Sequence, residues 1–282
     1  MPPFAPPLAP SSSSTPPLVS LVGAGPGDPE LITVRGLKRV QQADVILTDS
    51  LVHPDLLAFA RPDADIVDVG KIPGGPQTPQ DVTNRLLVDE AKQGKRVVRL
   101  KGGDAFVFGR GSEEALVCAA AGICVEVVPG VTSSVAGPAT ALVPVTHRGV
   151  STHFTVITGR GGPSHDKLPD RWRHLAKAGG TLVFLMSIKN LPDIQRGLLD
   201  AGVAPNMKAA LIERATWESE RVLFTTVDEM VNVVRDEQVR PPAIVVVGDV
   251  VGIGEELNAM LSFLPTSDAA ADAAAVPAPL SA

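Results

Sequence analysis

Short runs of β-branched and aliphatic residues recur along the chain, separated by amphipathic stretches. Leu18–Val22, Val45–Thr48, Ile66–Val69, Val97–Leu100 and Val125–Val128 read as buried strands, because an apolar run without alternation suits a sheet covered on both faces. Between them, Leu31, Val34, Leu37 and Val40 fall three apart, and Val82, Leu86 and Leu87 mark Pro79–Gln93. Both patterns predict helices. Five strands with helical crossovers predict a mainly parallel sheet.

The rhythm restarts after Gly149. Phe154–Thr158, Thr181–Leu185, Ala209–Ile212, Val222–Thr225 and Ile244–Val247 are predicted strands, with helices near Trp172–Ala178, Leu191–Ala201 and Val227–Arg235. The expectation is an α/β protein of two domains, 18–146 and 147–264, joined at Pro144–Ser151, with the cleft between them as the default small-molecule site. No internal repeat is visible. Met1–Pro17 holds seven prolines and the run Ser11–Ser14, and Pro265–Ala282 is Ala-rich without an amphipathic face. The stretches 1–17 and 265–282 are therefore expected to be disordered tails.

Composition narrows the function classes. Lys and Arg number 25 against 31 Asp and Glu, giving a net charge of −6, which argues against a general nucleic-acid binder while leaving room for a local basic pocket. The long uncharged stretch Val127–Thr146 is broken by Pro129, Gly130, Gly137, Pro138 and Pro144, so no membrane span is expected. No Lys or Arg precedes Arg35 and only Cys118 and Cys124 are present. A cytoplasmic protein without a disulfide framework is expected. The His and Cys spacing offers no metal site.

Chemistry concentrates in glycine-rich loops at predicted strand ends. The first strand runs into Gly23-Ala24-Gly25-Pro26-Gly27-Asp28. A dinucleotide fingerprint would have Gly where Asp28 stands, Pro26 removes an amide donor, and Asp28 would repel a pyrophosphate. Asp49, about 20 residues on, keeps a nucleotide reading open; a strand-to-helix turn without ligand contact is the plainer alternative. The fourth strand leads into Arg99-Leu100-Lys101-Gly102-Gly103-Asp104, then Phe106, Phe108, Gly109, Arg110, Glu113 and Glu114. The carboxyl end of a parallel strand is where such sheets bind ligands. Phe106 and Phe108 are candidates to shield a reacting centre from water. Arg110 suits a carboxylate, against the plainer reading of an ion pair with Glu113 or Glu114. Lys71 ends the third strand, in a loop rich in Gly and Pro, and Val128-Pro129-Gly130-Val131-Thr132-Ser133 leads from the fifth strand into a helix, with Thr132 and Ser133 placed as N-caps.

Together these loops resemble the uroporphyrinogen-III C-methyltransferases of the tetrapyrrole methylase family. The matching segments are Val22–Thr33, Asp49–Val52, Val69–Asn84, Arg99–Glu114, Val128–Ser134 and Pro144–Gly149, extended by Phe184–Leu191 and Glu213–Arg221. The resemblance implies two α/β domains with a cofactor cleft, S-adenosyl-L-methionine as methyl donor with S-adenosyl-L-homocysteine as its product, uroporphyrinogen III as acceptor, and a homodimer. It implies methylation at C2 and C7 to give precorrin-2, the branch point toward sirohaem and cobalamin. By that likeness Pro26, Gly102, Gly103, Asp104, Val107, Thr132, Ser133, Met186, Ala215 and Ala243 line the cofactor site. Asp49 matches the proton acceptor, Lys71 the proton donor, and Arg110 a residue also proposed as base; Arg110, Glu113, Arg148 and Met186 match substrate contacts.

An arginine is ordinarily too weak an acid to serve as base, which favours Arg110 as a substrate anchor. The chain departs from the family pattern at Thr48, Pro76, Thr83 and Ala105. The alternatives are a later-acting precorrin methyltransferase of the same fold and, from another class, a nucleotide-dependent oxidoreductase.

Overall fold

A computed structural model describes residues 19–70, 78–159 and 174–262. The expected tails 1–17 and 265–282, together with Lys71 and Pro76, lie outside the described residues. The chain forms two compact units that divide between Thr132 and Ser133, upstream of the connector expected at Pro144–Ser151.

The first unit is a five-stranded sheet in the order β3-β2-β4-β1-β5, formed by β1 (Val19–Gly23), β2 (Val45–Thr48), β3 (Asp65–Asp68), β4 (Val97–Lys101) and β5 (Val125–Val128). Every pairing is parallel. Helix α1 (Val34–Gln42) starts where Thr33 Oγ1 accepts from the Gly36 amide at 3.1 Å, an N-cap that satisfies one orphan donor. It covers one face with Pro54–Phe59, a 3₁₀ segment, burying Val40 and Leu56 against Val22, Ile46, Val98 and Leu100. Helices α2 (Gln80–Lys92) and α3 (Gly111–Ala120) cover the other, where Leu87, Ala91 and Cys118 meet Val19, Leu21, Leu47 and Val97.

The five strands are not equally buried. β1, β2 and β4 are buried throughout, as expected of central strands. β3 and β5 stand at the two edges, which corrects the reading of Ile66–Val69 and Val125–Val128 as buried. Ile66 is 48% exposed and Val127 36%, because an edge strand has cover from fewer neighbours. At the amino end of the sheet Asp44 ties the loops down: its carboxylate accepts from the Arg96 amide (2.8 Å), Arg96 Nε (3.0 Å), Arg96 Nη2 (2.8 Å) and Arg61 Nη1 (3.0 Å).

The strand order decides where a ligand can sit. From β1 the chain crosses over β4 to β2; from β4 it crosses the opposite way over β1 to β5. Right-handed crossovers in opposite directions put α1 and α3 on opposite faces, and the carboxyl ends of β1 and β4, where the strand order reverses, are where such a sheet takes a ligand.

The second unit carries a mixed sheet in the order β6-β7-β10-β8-β9, from β6 (Phe154–Thr158), β7 (Thr181–Leu185), β8 (Lys208–Glu213), β9 (Arg221–Thr226) and β10 (Ala243–Val247). Only β6 and β7 are parallel; β10 is antiparallel to β7 and β8, and β8 to β9. One face packs on α5 (Leu191–Asp200) and α6 (Met230–Asp236) through Ile194, Leu198 and Met230. Helices α4 (Ser133–Thr140) and α7 (Val250–Leu261) serve the other. A Cβ at Gly137 would overlap Ile244 of β10, so α4 lies flush on the strand. The helix expected over Val227–Arg235 begins at Met230, and of Trp172–Ala178 the described part, 174–178, is helical.

Candidate functional site

At the carboxyl ends of β1 and β4 the backbone of three loops meets without side chains between. Gly25 and Gly103 form an isolated bridge, with Gly103 N donating to Gly25 O at 2.6 Å and Gly25 N to Gly103 O at 3.2 Å. Both have positive φ, +86° and +67°, a conformation that costs glycine little and other residues more. A Cβ on Gly23 would come 2.6 Å from Gly130 Cα and 2.7 Å from Gly103 O. Pro26 and Gly102 flank this contact, the latter against Leu51.

Asp104 locks the same region. Its Oδ1 accepts from the amides of Phe106 (2.8 Å) and Val107 (3.2 Å), and its Oδ2 from the amide of Gly130 (3.0 Å). Both oxygens are engaged by backbone, so the loop after β4 and the loop leading to Thr132 are held as one piece. Such a surface of exposed main chain is suited to a ligand recognised by close backbone approach.

Asp49 follows β2 and is fixed from below. Its amide donates to Leu100 O at 3.2 Å, and Oδ1 accepts from Arg99 Nη2 at 2.5 Å. The Asp49 side chain keeps 28% exposure while that of Arg99 keeps 5%. Arg99 in turn donates through Nη1 to Leu47 O (3.2 Å) and Leu100 O (3.1 Å) and through Nε to Glu114 Oε1 (3.1 Å). Lys101 Nζ and Gln80 Nε2 also reach Glu114 Oε1, each at 3.1 Å. Burial works against the Arg99 charge, but Asp49 and Glu114 outweigh it and raise its pKa; for Lys101, burial and then the Arg99 charge push the pKa below the ordinary value. Sequence reasoning singled out Asp49 and missed the roles of Arg99, Lys101 and Glu114. The available signal was two cations in an otherwise apolar central strand, which must find buried partners.

Arg110 stands at φ +58°, just before α3, and pairs with Glu113 through Nε (2.9 Å) and Nη2 (2.6 Å). The side chains are 43% and 53% exposed. The Glu113 hydrogen bond, against a smaller opposing effect of burial, raises the Arg110 pKa, so it is a fixed cation. Phe106 and Phe108, expected to screen a reacting centre, are 53% and 42% exposed; their own unit leaves these rings in the open.

In the second unit Met186 follows β7 at φ +54° and is 41% exposed. Ala215 and Ala243 are buried beside Gly137 and Ile244 on and next to β10, and Arg148 is exposed in the turn closed by the His147–Ser151 bridge. Next to Met186, Ser187 is fully buried and its Oγ has no hydrogen-bond partner among the described residues. The feature that fits a bound cofactor is the bare main chain of the first unit. Among the described residues no group of three or more His, Cys, Asp or Glu is placed to hold a metal ion, and no helix is long and apolar enough to cross a membrane.

Comparison with known proteins places this architecture. The family model described as Tetrapyrrole (Corrin/Porphyrin) Methylases matches residues 18–231. A uroporphyrinogen-III C-methyltransferase of Priestia megaterium is 47% identical over 83% of the chain and 98% of its own length. Uroporphyrin-III C-methyltransferase from Thermus thermophilus, solved with S-adenosyl homocysteine, is similar with a TM-score of 0.70 and 39% identity, over 83% of the chain and 93% of its own. A cobalt precorrin-4 methyltransferase of cobalamin biosynthesis gives a TM-score of 0.73 at 30% identity, over 82% of the chain and 95% of its own.

Proposed function

The chain belongs to the tetrapyrrole (corrin/porphyrin) methylases, and from that premise we propose that Asp49 is the proton acceptor of a C-methylation whose substrate anchor is Arg110. The reaction is transfer of methyl groups to C2 and C7 of uroporphyrinogen III to give precorrin-2. S-Adenosyl-L-methionine supplies an electrophilic methyl group already activated on a sulfonium. In the first unit Pro26, Gly102, Gly103 and Val107 would hold it, with Asp104 keeping their loops in register.

The remaining demands fall on side chains. Carbon methylation leaves positive charge in the macrocycle, which is relieved when a proton departs. A carboxylate nearby both stabilises that charge and takes the proton. Asp49 has the required form: one oxygen is pinned by Arg99, while the side chain retains 28% exposure. This observation carries the reading. Alignment of the reactants is itself worth up to about 7–11 kcal/mol, and the tied loops provide a stiff frame for it.

Arg110, cationic and half-exposed, suits a carboxylate of the polyacid substrate, exchanging or sharing its Glu113 partner. Lys71 remains the proposed proton donor by family likeness alone. The same reading takes the enzyme as a cytoplasmic homodimer. Incubation with uroporphyrinogen III and S-adenosyl-L-methionine tests the function: the product should gain two methyl groups by mass, and an unchanged mass would refute it.

A further inference from the structure

Glu114 is a carboxylate with no exposure at all, on α3, yet it touches nothing that the methyl transfer needs directly. A buried charge is expensive unless paired, and removing one partner leaves the other uncompensated. Here two cations share it. Arg99 Nε lies 3.1 Å from Oε1, and Lys101 Nζ lies 3.1 Å from both Oε1 and Oε2. Arg99 spends its remaining donors on Leu47 O, Leu100 O and Asp49 Oδ1. The same guanidinium therefore bridges an enclosed carboxylate and the partly exposed one.

We propose that Glu114 is a positioning residue for the reaction: by sharing Arg99 with Asp49, it sets how tightly the Asp49 carboxylate is held and how readily it accepts a proton. Among the described residues the groups facing this cluster are Arg99 and Lys101 from β4, Asp49 from the end of β2, Gln80 from α2, and Glu114 and Cys118 from α3. Two carboxylates and two cations leave the four-charge set neutral. With Glu114 absent, Arg99 would turn its full charge on Asp49, and the unbalanced Lys101 would add to it. The inference rests on the reading of Asp49 as proton acceptor.

The test is a charge series in the full chain, with folding checked by circular dichroism and by S-adenosyl-L-methionine binding. Glu114→Gln keeps an oxygen for Arg99 Nε and removes one negative charge. A positive surplus favours the carboxylate form of its neighbour, so the acid limb of kcat should move to lower pH. The value of kcat should fall severalfold, because a more tightly held base is a weaker one, with cofactor affinity unchanged.

Lys101→Met should move the limb the other way, and Glu114→Gln/Lys101→Met should return it. If Glu114→Gln does not fold, the difference between Lys101→Met and the double variant isolates Glu114 just as well. A merely structural Glu114 would lower stability without moving the limb. A limb that stays in place in every folded variant, while Asp49→Asn has lost turnover, overturns this inference alone. Full turnover in Asp49→Asn overturns the Asp49 reading, and this inference with it.

Discussion

Gly103 and Gly130 meet main chain to main chain: a Cβ on Gly130 would overlap the carbonyl oxygen of Gly103, and Gly130 N is the donor that holds Asp104 Oδ2 at 3.0 Å. Gly130→Ala should therefore separate two loops that the Asp104 carboxylate keeps together. We expect a loss of about 1–3 kcal/mol from the forced shift, read from urea unfolding, together with weakened cofactor binding in calorimetry. Wild-type affinity would show that the contact does not shape the binding surface.

Asp49→Asn leaves the size of the side chain and an oxygen for Arg99 but removes the base. Cofactor binding should persist while kcat falls by about 10²–10⁴, measured by methyl transfer from labelled donor. Unchanged turnover removes Asp49 from the mechanism.

Arg110→Ala should leave the fold intact, since an exposed pair with Glu113 is worth about 1 kcal/mol or less. The expected signature is a raised KM for the tetrapyrrole at nearly constant kcat, which marks lost substrate binding. A fall in kcat at unchanged KM would assign Arg110 a part in the chemistry.

Asp44 offers a pH test far from the chemistry. The Arg96 hydrogen bonds, against an opposing burial effect, hold its carboxyl well below the ordinary value of 3.8. A carboxyl depressed on folding contributes stability that is fully present above the unfolded pKa and is lost as pH falls through it toward the folded one. Asp44→Asn should cost about 1 kcal/mol at pH 7, and the gap from wild type should begin to narrow as the pH falls below about 4. A gap independent of pH in denaturant titrations would assign the loss to packing.

Much of this was legible because burial and periodicity coincide. Val45–Thr48 and Thr181–Leu185 are sheathed on both faces, so their apolar runs mark them and their ends. β3 was harder: Asp65 and Asp68 bracket Ile66 and Val67, and only the strand order reveals an edge. Helix α7 escaped sequence reasoning since Gly252 and Gly254 sit in it. Gly254 is there because a side chain would come 2.6 Å from Val143 Cγ2. The glycine that lets the helix dock thus hides the helix. At the site, the loops announced themselves through glycine, whereas the Arg99–Glu114 pair depends on how α3 lies on the sheet, and no local pattern encodes that distance.

The open margin at β3 has a consequence for assembly. Among the described residues its outer main chain pairs with no strand, and such a sheet border can template an additional one. Asp65, 3.6 Å from Lys95 Nζ, and Asp68 flank the half-exposed Ile66 there, so an identical chain arriving side by side meets charged side chains at both ends of the apolar pair. The ladder is thereby discouraged from growing past five rungs, and self-association through that border, the first step toward fibrils, is opposed by charge.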